Sequence, residues 1–180
     1  MAVVLAGMVS CAGLVLGRVY DGTLLQVLVA GAATGSVLLS VLARRLPAWT
    51  AGPLSVVGLV GYVLLSARVT ATAADVPGGL ASITADAARN GIPRLLTALI
   101  PVEPQPDTIL VPVVAAWLAG LAGAELAVRG GRVLLGYVAP GLCFAGAAYT
   151  VGPNADPAVW PGLAFAGLAI AGLVATGPTR

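Results

Sequence analysis

The sequence predicts an all-α, polytopic membrane protein: a six-transmembrane-helix bundle with an outer amphipathic helical segment between the third and fourth helices. Three observations predict it. Only 9% of the 180 residues are charged, against about a quarter in ordinary soluble domains. Hydrophobic residues make up 59% of the chain and its mean hydropathy is +1.01. So few charges cannot cover the surface of a water-soluble protein of this length, whereas lipid suits such a sequence. Lastly, the apolar residues fall into runs close to the roughly 20 residues that a helix needs to cross the hydrocarbon core.

The expected spans, in one membrane domain covering 1–180, are residues 2–19, 23–43, 51–69, 108–128, 133–151 and 158–176. Charges mark the breaks. Arg18 and Asp21 follow the first span, and Arg44 and Arg45 follow the second. Glu125, Arg129 and Arg132 bracket the turn between the fourth and fifth, and Asp156 lies between the fifth and sixth. Pro47, Pro53, Gly130, Gly131, Pro153 and Pro157 punctuate the same turns. Trp49 and Trp160 fall at expected interfaces, where an amphipathic ring is well placed. The first span lacks the basic n-region of a cleaved signal peptide. Met8-Val9-Ser10-Cys11 is similar to a lipoprotein cleavage site, but no positive charge precedes it, so Cys11 reads as a packing residue.

Residues 70–107 form the one sizeable segment outside the spans. Leu80, Ile83 and Ala87 repeat at helical spacing, with Asp86 and Arg89 on other faces. Gly91 then interrupts and Pro93 opens a second short helix, whose stripe is Leu95, Leu96, Leu99 and Ile100. The run from Pro101 to Pro106 is a stiff, extended approach to the fourth span. The segment reads as a connector capping the bundle; the competing reading is a lid or docking surface on the outer leaflet.

The arginines orient the chain. With the N-terminus inside, Arg44, Arg45, Arg129, Arg132 and the terminal Arg180 are cytoplasmic. Arg18 then lies outside, and so does the 70–107 segment, where Asp75, Asp86, Glu103 and Asp107 outweigh the arginines Arg68, Arg89 and Arg94 at its edge and within it. This is the positive-inside pattern, with both termini cytoplasmic in a bacterial plasma membrane. All nine basic residues are Arg, and with the abundant Ala, Gly, Val and Leu they suggest a high-GC bacterial genome. They are scattered, and the net charge is +2, so no nucleic-acid partner is expected.

The chain has no His, which removes Ser-His-Asp triads, Cys-His pairs and His-ligated zinc from within it. Cys11 and Cys143 sit in apolar stretches and read as packing residues. The carboxylates of the 70–107 segment are spread without a nucleophile or metal motif. No catalytic, cofactor-binding or metal-binding residue is therefore assigned, and no cofactor is expected. Within the spans, Glu125 comes closest to an intramembrane charge, and Arg129, four residues on, is its expected partner. Gln26 is expected at an interface. Gly13/Gly17, Gly31/Gly35, Ala116/Gly120/Ala124 and Gly167/Ala171 are expected to let helices approach closely. Pro112 and Pro140 are expected to kink or loosen the fourth and fifth spans.

Several of these features occur together in one family. The Arg44-to-Pro47 turn follows the second span, and a long segment with a Leu-rich amphipathic helix follows the third. Pro104, Pro106 and Thr108 then lead into a span that ends Glu125 to Arg129, and the Pro153-to-Trp160 turn joins the last two. Over essentially its whole length the chain resembles the N-terminal membrane domain of actinobacterial transglutaminase-like (TgpA-type) membrane proteins. In that family a cytoplasmic segment, one more span and an extracytoplasmic domain with a Cys-His-Asp triad follow. None of these lies within residues 1–180, and neither Cys11 nor Cys143 matches the catalytic Cys. The resemblance implies the anchor portion of a longer protein, or a stand-alone version of it. It implies a non-catalytic membrane-anchoring scaffold whose partners are the bilayer and a transglutaminase-like domain. A small transporter or channel subunit for a neutral or lipid-like solute is the alternative. A lipid-linked envelope enzyme using Asp21 or Asp75 ranks last.

Overall fold

The computed structural model describes residues 1–97, 101–152 and 159–176. The elements in chain order are α1 (Ala2–Leu16), α2 (Leu24–Leu42), α3 (Ala48–Ala73), α4 (Leu80–Thr97), α5 (Pro106–Ala124), α6 (Val133–Gly136), α7 (Val138–Val151) and α8 (Trp160–Thr176). A 3-10 turn, Ala43–Arg45, continues α2, and a π turn, Glu125–Arg129, continues α5. The described residues contain no strand, only an isolated bridge between Tyr20 and Val102.

Four helical stretches are long and apolar enough to cross a membrane: Leu24–Arg45, Gly52–Ala73, Pro106–Arg129 and Val133–Val151. α1 and α8 are equally apolar but have 15 and 17 residues. At about 1.5 Å per residue they reach roughly 22 and 26 Å, short of the ~30 Å hydrocarbon core. α1 stops early for a visible reason: beyond Gly17 the chain turns, and Val19 and Asp21 bond to Val102.

The core lies where α1, α2, α5 and α7 meet. Val9, Leu25, Ala32, Ala33, Val113 and Ala116 are almost wholly enclosed there. Small residues permit this closeness. A Cβ on Gly13 would stand 2.8 Å from Val29, and one on Gly120 would strike the Ser36 hydroxyl. Gly31 lies against Tyr62, and Gly35 against Trp117, whose ring sits 5.4 Å from that of Tyr62. The pattern fails in α8. Gly167 faces open space and Ala171 is exposed; Gly172 makes the contact instead, against Val4 and Tyr137. Pro140 fills the space beside Gly123, and Phe144 and Phe165 join α7 to α8 with ring centroids 4.6 Å apart.

The outward faces are apolar too. Val57, Leu142 and Val174 are 68%, 69% and 76% exposed. Each would forgo about 1.5–3 kcal/mol in water, and none of that is lost against hydrocarbon. Trp49 and Trp160 lie exposed at or near the starts of α3 and α8. Cys11 is buried and Cys143 half-buried, both as free thiols.

The segment after α3 differs from the expectation of two short helices broken at Gly91 and Pro93. α4 runs unbroken from Leu80 to Thr97 through both residues. Gly91 is where α4 crosses the first turn of α5: a Cβ there would come 2.8 Å from the Asp107 carbonyl oxygen. A residue read as a breaker is thus a contact point, and packing on α5 offsets the hydrogen bond that Pro93 cannot donate. Of the expected apolar stripe, Leu95 is half-buried; the Leu96 side chain, Leu99 and Ile100 lie outside the described residues. So do the greater part of the Pro153-to-Trp160 turn, with Asp156, and the terminal Arg180.

Candidate functional site

The polar side chains concentrate where α4 rests on the start of α5. Pro106 occupies the first helical position of α5, where its missing N–H costs nothing. Gln105 before it is extended, and its backbone N–H donates to Thr108 Oγ1 at 3.2 Å. Asp107 therefore falls in the first turn, where the helix dipole favours a carboxylate. Its Oδ1 accepts the Thr108 N–H at 2.9 Å. With Ala87 and Gly91 turned onto α5, Arg94 comes within reach of Asp107. Its Nη1 donates to Asp107 Oδ2 at 2.7 Å and to Asp86 Oδ2 at 2.9 Å. Asn90 Nδ2 donates to Asp86 Oδ1 at 2.7 Å.

Each oxygen of the two carboxylates therefore has one donor within the chain. The hydrogen bond to Asp107, and then the charge of Asp86, raise the pKa of Arg94 further above its ordinary value. Beside this clasp is an open cleft of about 300 Å³ lined by Val76, Ser82, Ile83, Gln105 and the three charged residues. The Ser82 hydroxyl donates to the Gly79 carbonyl at 2.7 Å, closing the first turn of α4. The arrangement is suited to holding α4 in place. Among the described residues, no group of three or more His, Cys, Asp or Glu side chains is placed to hold a metal.

A second attachment ties the connector to the α1–α2 turn. The Asp21 N–H donates to the Val102 carbonyl at 3.0 Å, and the Val102 N–H to the Val19 carbonyl at 2.8 Å. The Tyr20 hydroxyl, buried between them, donates to the Thr108 carbonyl at 2.7 Å. Burial pushes that phenol well above its ordinary range. Asp21 and Asp75, the acids considered for an enzyme, are not drawn into the clasp. Asp21 contributes its backbone. Asp75 terminates α3 with φ of +49°, while Val76 bonds back to the Ala71 carbonyl, a Schellman closure. Asp75 and Arg68 line a separate shallow hollow.

At the far end of the bundle, Glu125 pairs with Arg129 at 3.1 Å, as its i,i+4 spacing suggests. A partner from another helix was not legible in that spacing: the Ser40 hydroxyl donates to Glu125 Oε1 at 2.7 Å. Arg44 reaches across to the Val128 carbonyl. Arg44, Arg45, Arg129 and Arg132 thus gather at one end, and Arg18, Arg68, Arg89 and Arg94 at the other. Gln26, near the start of α2, is half-buried against Gly17. The clasp itself carried no sequence signal, since Arg94 stands eight residues from Asp86 and thirteen from Asp107. The chain matches no protein-family model, no curated protein and no solved structure.

Proposed function

We propose that the chain is a non-catalytic membrane scaffold, the anchoring part of a transglutaminase-like cell-envelope protein of a bacterial plasma membrane. In this reading α1 and α8 also cross the bilayer, completing six spans, and both termini are cytoplasmic. Short apolar helices are accommodated by local bilayer thinning and by interfacial residues such as Arg18 and Trp160. The α4 clasp then lies on the extracytoplasmic side, where the family resemblance puts the catalytic partner.

The observation that carries the reading is where the polar chemistry sits. Ion pairs and charge-bearing hydrogen bonds cluster at the two ends of the bundle, at Arg94 and at Glu125. Ion-coupled carriers place such groups near the middle of the membrane. Four arginines at one end also support the orientation.

The test is site-directed photocrosslinking from position 105 in intact cells, with flux measured in parallel in reconstituted vesicles. The scaffold reading expects a crosslink to an extracytoplasmic domain bearing a Cys-His-Asp triad, and no flux of neutral solute. Flux that disappears when the buried Trp117 is changed to Phe would replace it with the transporter reading. Transglutaminase turnover by the isolated chain, lost in Cys11→Ala or Cys143→Ala, would overturn the non-catalytic assignment.

A further inference from the structure

Where α1 ends against α7 and α8 there is a hollow of about 330 Å³. Its walls are Val15, Phe144, Ala148 and Val151, with Gly162 at the start of α8 leaving one side open. Arg18 stands in it. Its Nη2 is enclosed, yet has no hydrogen-bond partner among the described residues. Asp107, Asp86 and Glu125 are all engaged elsewhere, and Asp21 is exposed on the turn beyond. The described walls of the hollow contain no acid. A guanidinium donor withdrawn from water without a partner is costly, and an anionic acceptor in the hollow would relieve that cost. Apart from Arg18 and two glycines, the hollow's lining is apolar: Val15, Phe144, Ala148, Val151 and Val159.

We propose that this hollow binds the phosphodiester of an anionic glycerophospholipid, with Arg18 holding the phosphate and Val15, Phe144 and Ala148 receiving the glycerol end of an acyl chain. The inference rests on the membrane reading above. One charged point and one greasy wall, side by side at the end of a span, match a lipid at the headgroup boundary. A free phosphate would use the guanidinium and leave the apolar wall uncovered. Arg is also the side chain best shaped to take two phosphate oxygens at once.

The experiment is native mass spectrometry of the full chain released from vesicles of phosphatidylglycerol mixed equally with phosphatidylcholine. The wild type should retain one phosphatidylglycerol in preference to phosphatidylcholine. Arg18→Gln should reduce that retention by about tenfold, in line with the loss of one charge-assisted hydrogen bond. Arg68→Gln, which removes a cation from the same end of the bundle, should leave retention unchanged. Ala148→Trp keeps the guanidinium, fills the hollow, and should also abolish retention, so the test survives if Arg18→Gln folds poorly. Asp156→Asn addresses the acid that lies outside the described residues. Unchanged retention agrees with a lipid as the counter-ion of Arg18; retention that rises in Asp156→Asn would show that this carboxylate holds the guanidinium, and would overturn the proposal. Equal retention in wild type and Arg18→Gln would overturn it, and so would displacement of the lipid by millimolar inorganic phosphate. Resistance to carbonate extraction, measured on the same membranes, separates these outcomes from a failure of the membrane reading, under which all variants would be extracted.

Discussion

Single side chains carry the attachments, and each has a distinct physical consequence. Gly91 is required by the approach of α4 to the Asp107 carbonyl, not by any turn. Gly91→Val should therefore destabilise the docked α4 by about 1–3 kcal/mol, the usual cost of overpacking; hydrogen exchange of the α4 amides would measure it. Protection equal to the wild type would contradict the contact. Ser40 supplies one of the two donors that satisfy Glu125. Ser40→Ala should cost about 1 kcal/mol in reversible unfolding in mild detergent, as expected for a carboxylate that keeps one partner and loses another. The Glu125–Arg129 pair was legible because i and i+4 face each other on any helix. Ser40 was not, because its distance from Glu125 is set by how α2 packs on α5. The same reason hides the Arg94 clasp: Asp86, Arg94 and Asp107 meet only once Ala87 and Gly91 are seated.

Among whole elements, hydropathy located α2, α3, α5 and α7 to within a few residues, because lipid leaves so little freedom in how long an apolar helix must be. In α4, Ala87 is buried and Asp86 and Arg89 are exposed, and the helix runs unbroken where a break at Gly91 and Pro93 is expected from the sequence. Local propensity at Gly91 and Pro93 predicts an interruption; tertiary packing against α5 overrides it. The lid and cap readings of this segment separate on how firmly α4 is held. Ala87 is 1% exposed, so Ala87→Asp would bury an unpaired carboxylate and should release the helix. In right-side-out membranes, trypsin should then cut at Arg89 or Arg94 in the variant and spare the wild type, while the spans stay inserted. Cutting of the wild type at the same rate would show that α4 is not docked. Removing Asp107, nearly buried and joined to both α4 and its own helix, should loosen α4 more than removing the exposed Asp86.

Taken as a whole, the described connections between helices α1 to α7 collect at two ends. One end holds the 43–47 and 125–132 turns with four arginines; the other holds the α1–α2 turn and the α4 connector, bound together through Tyr20, Val102 and Thr108. Because these ends are chemically different, the proposed orientation, with the four-arginine end in the cytoplasm, is directly testable. The measurement is thiol labelling of intact cells with a membrane-impermeant reagent, in a Cys11→Ala, Cys143→Ala background carrying one new cysteine at a time. Arg45→Cys and Arg132→Cys should stay unlabelled until the membrane is permeabilised, and Gln105→Cys should label at once. Labelling of Arg45→Cys and Arg132→Cys in intact cells, with Gln105→Cys protected, would reverse the orientation and remove the extracytoplasmic clasp; labelling of all three would contradict a membrane-spanning bundle altogether.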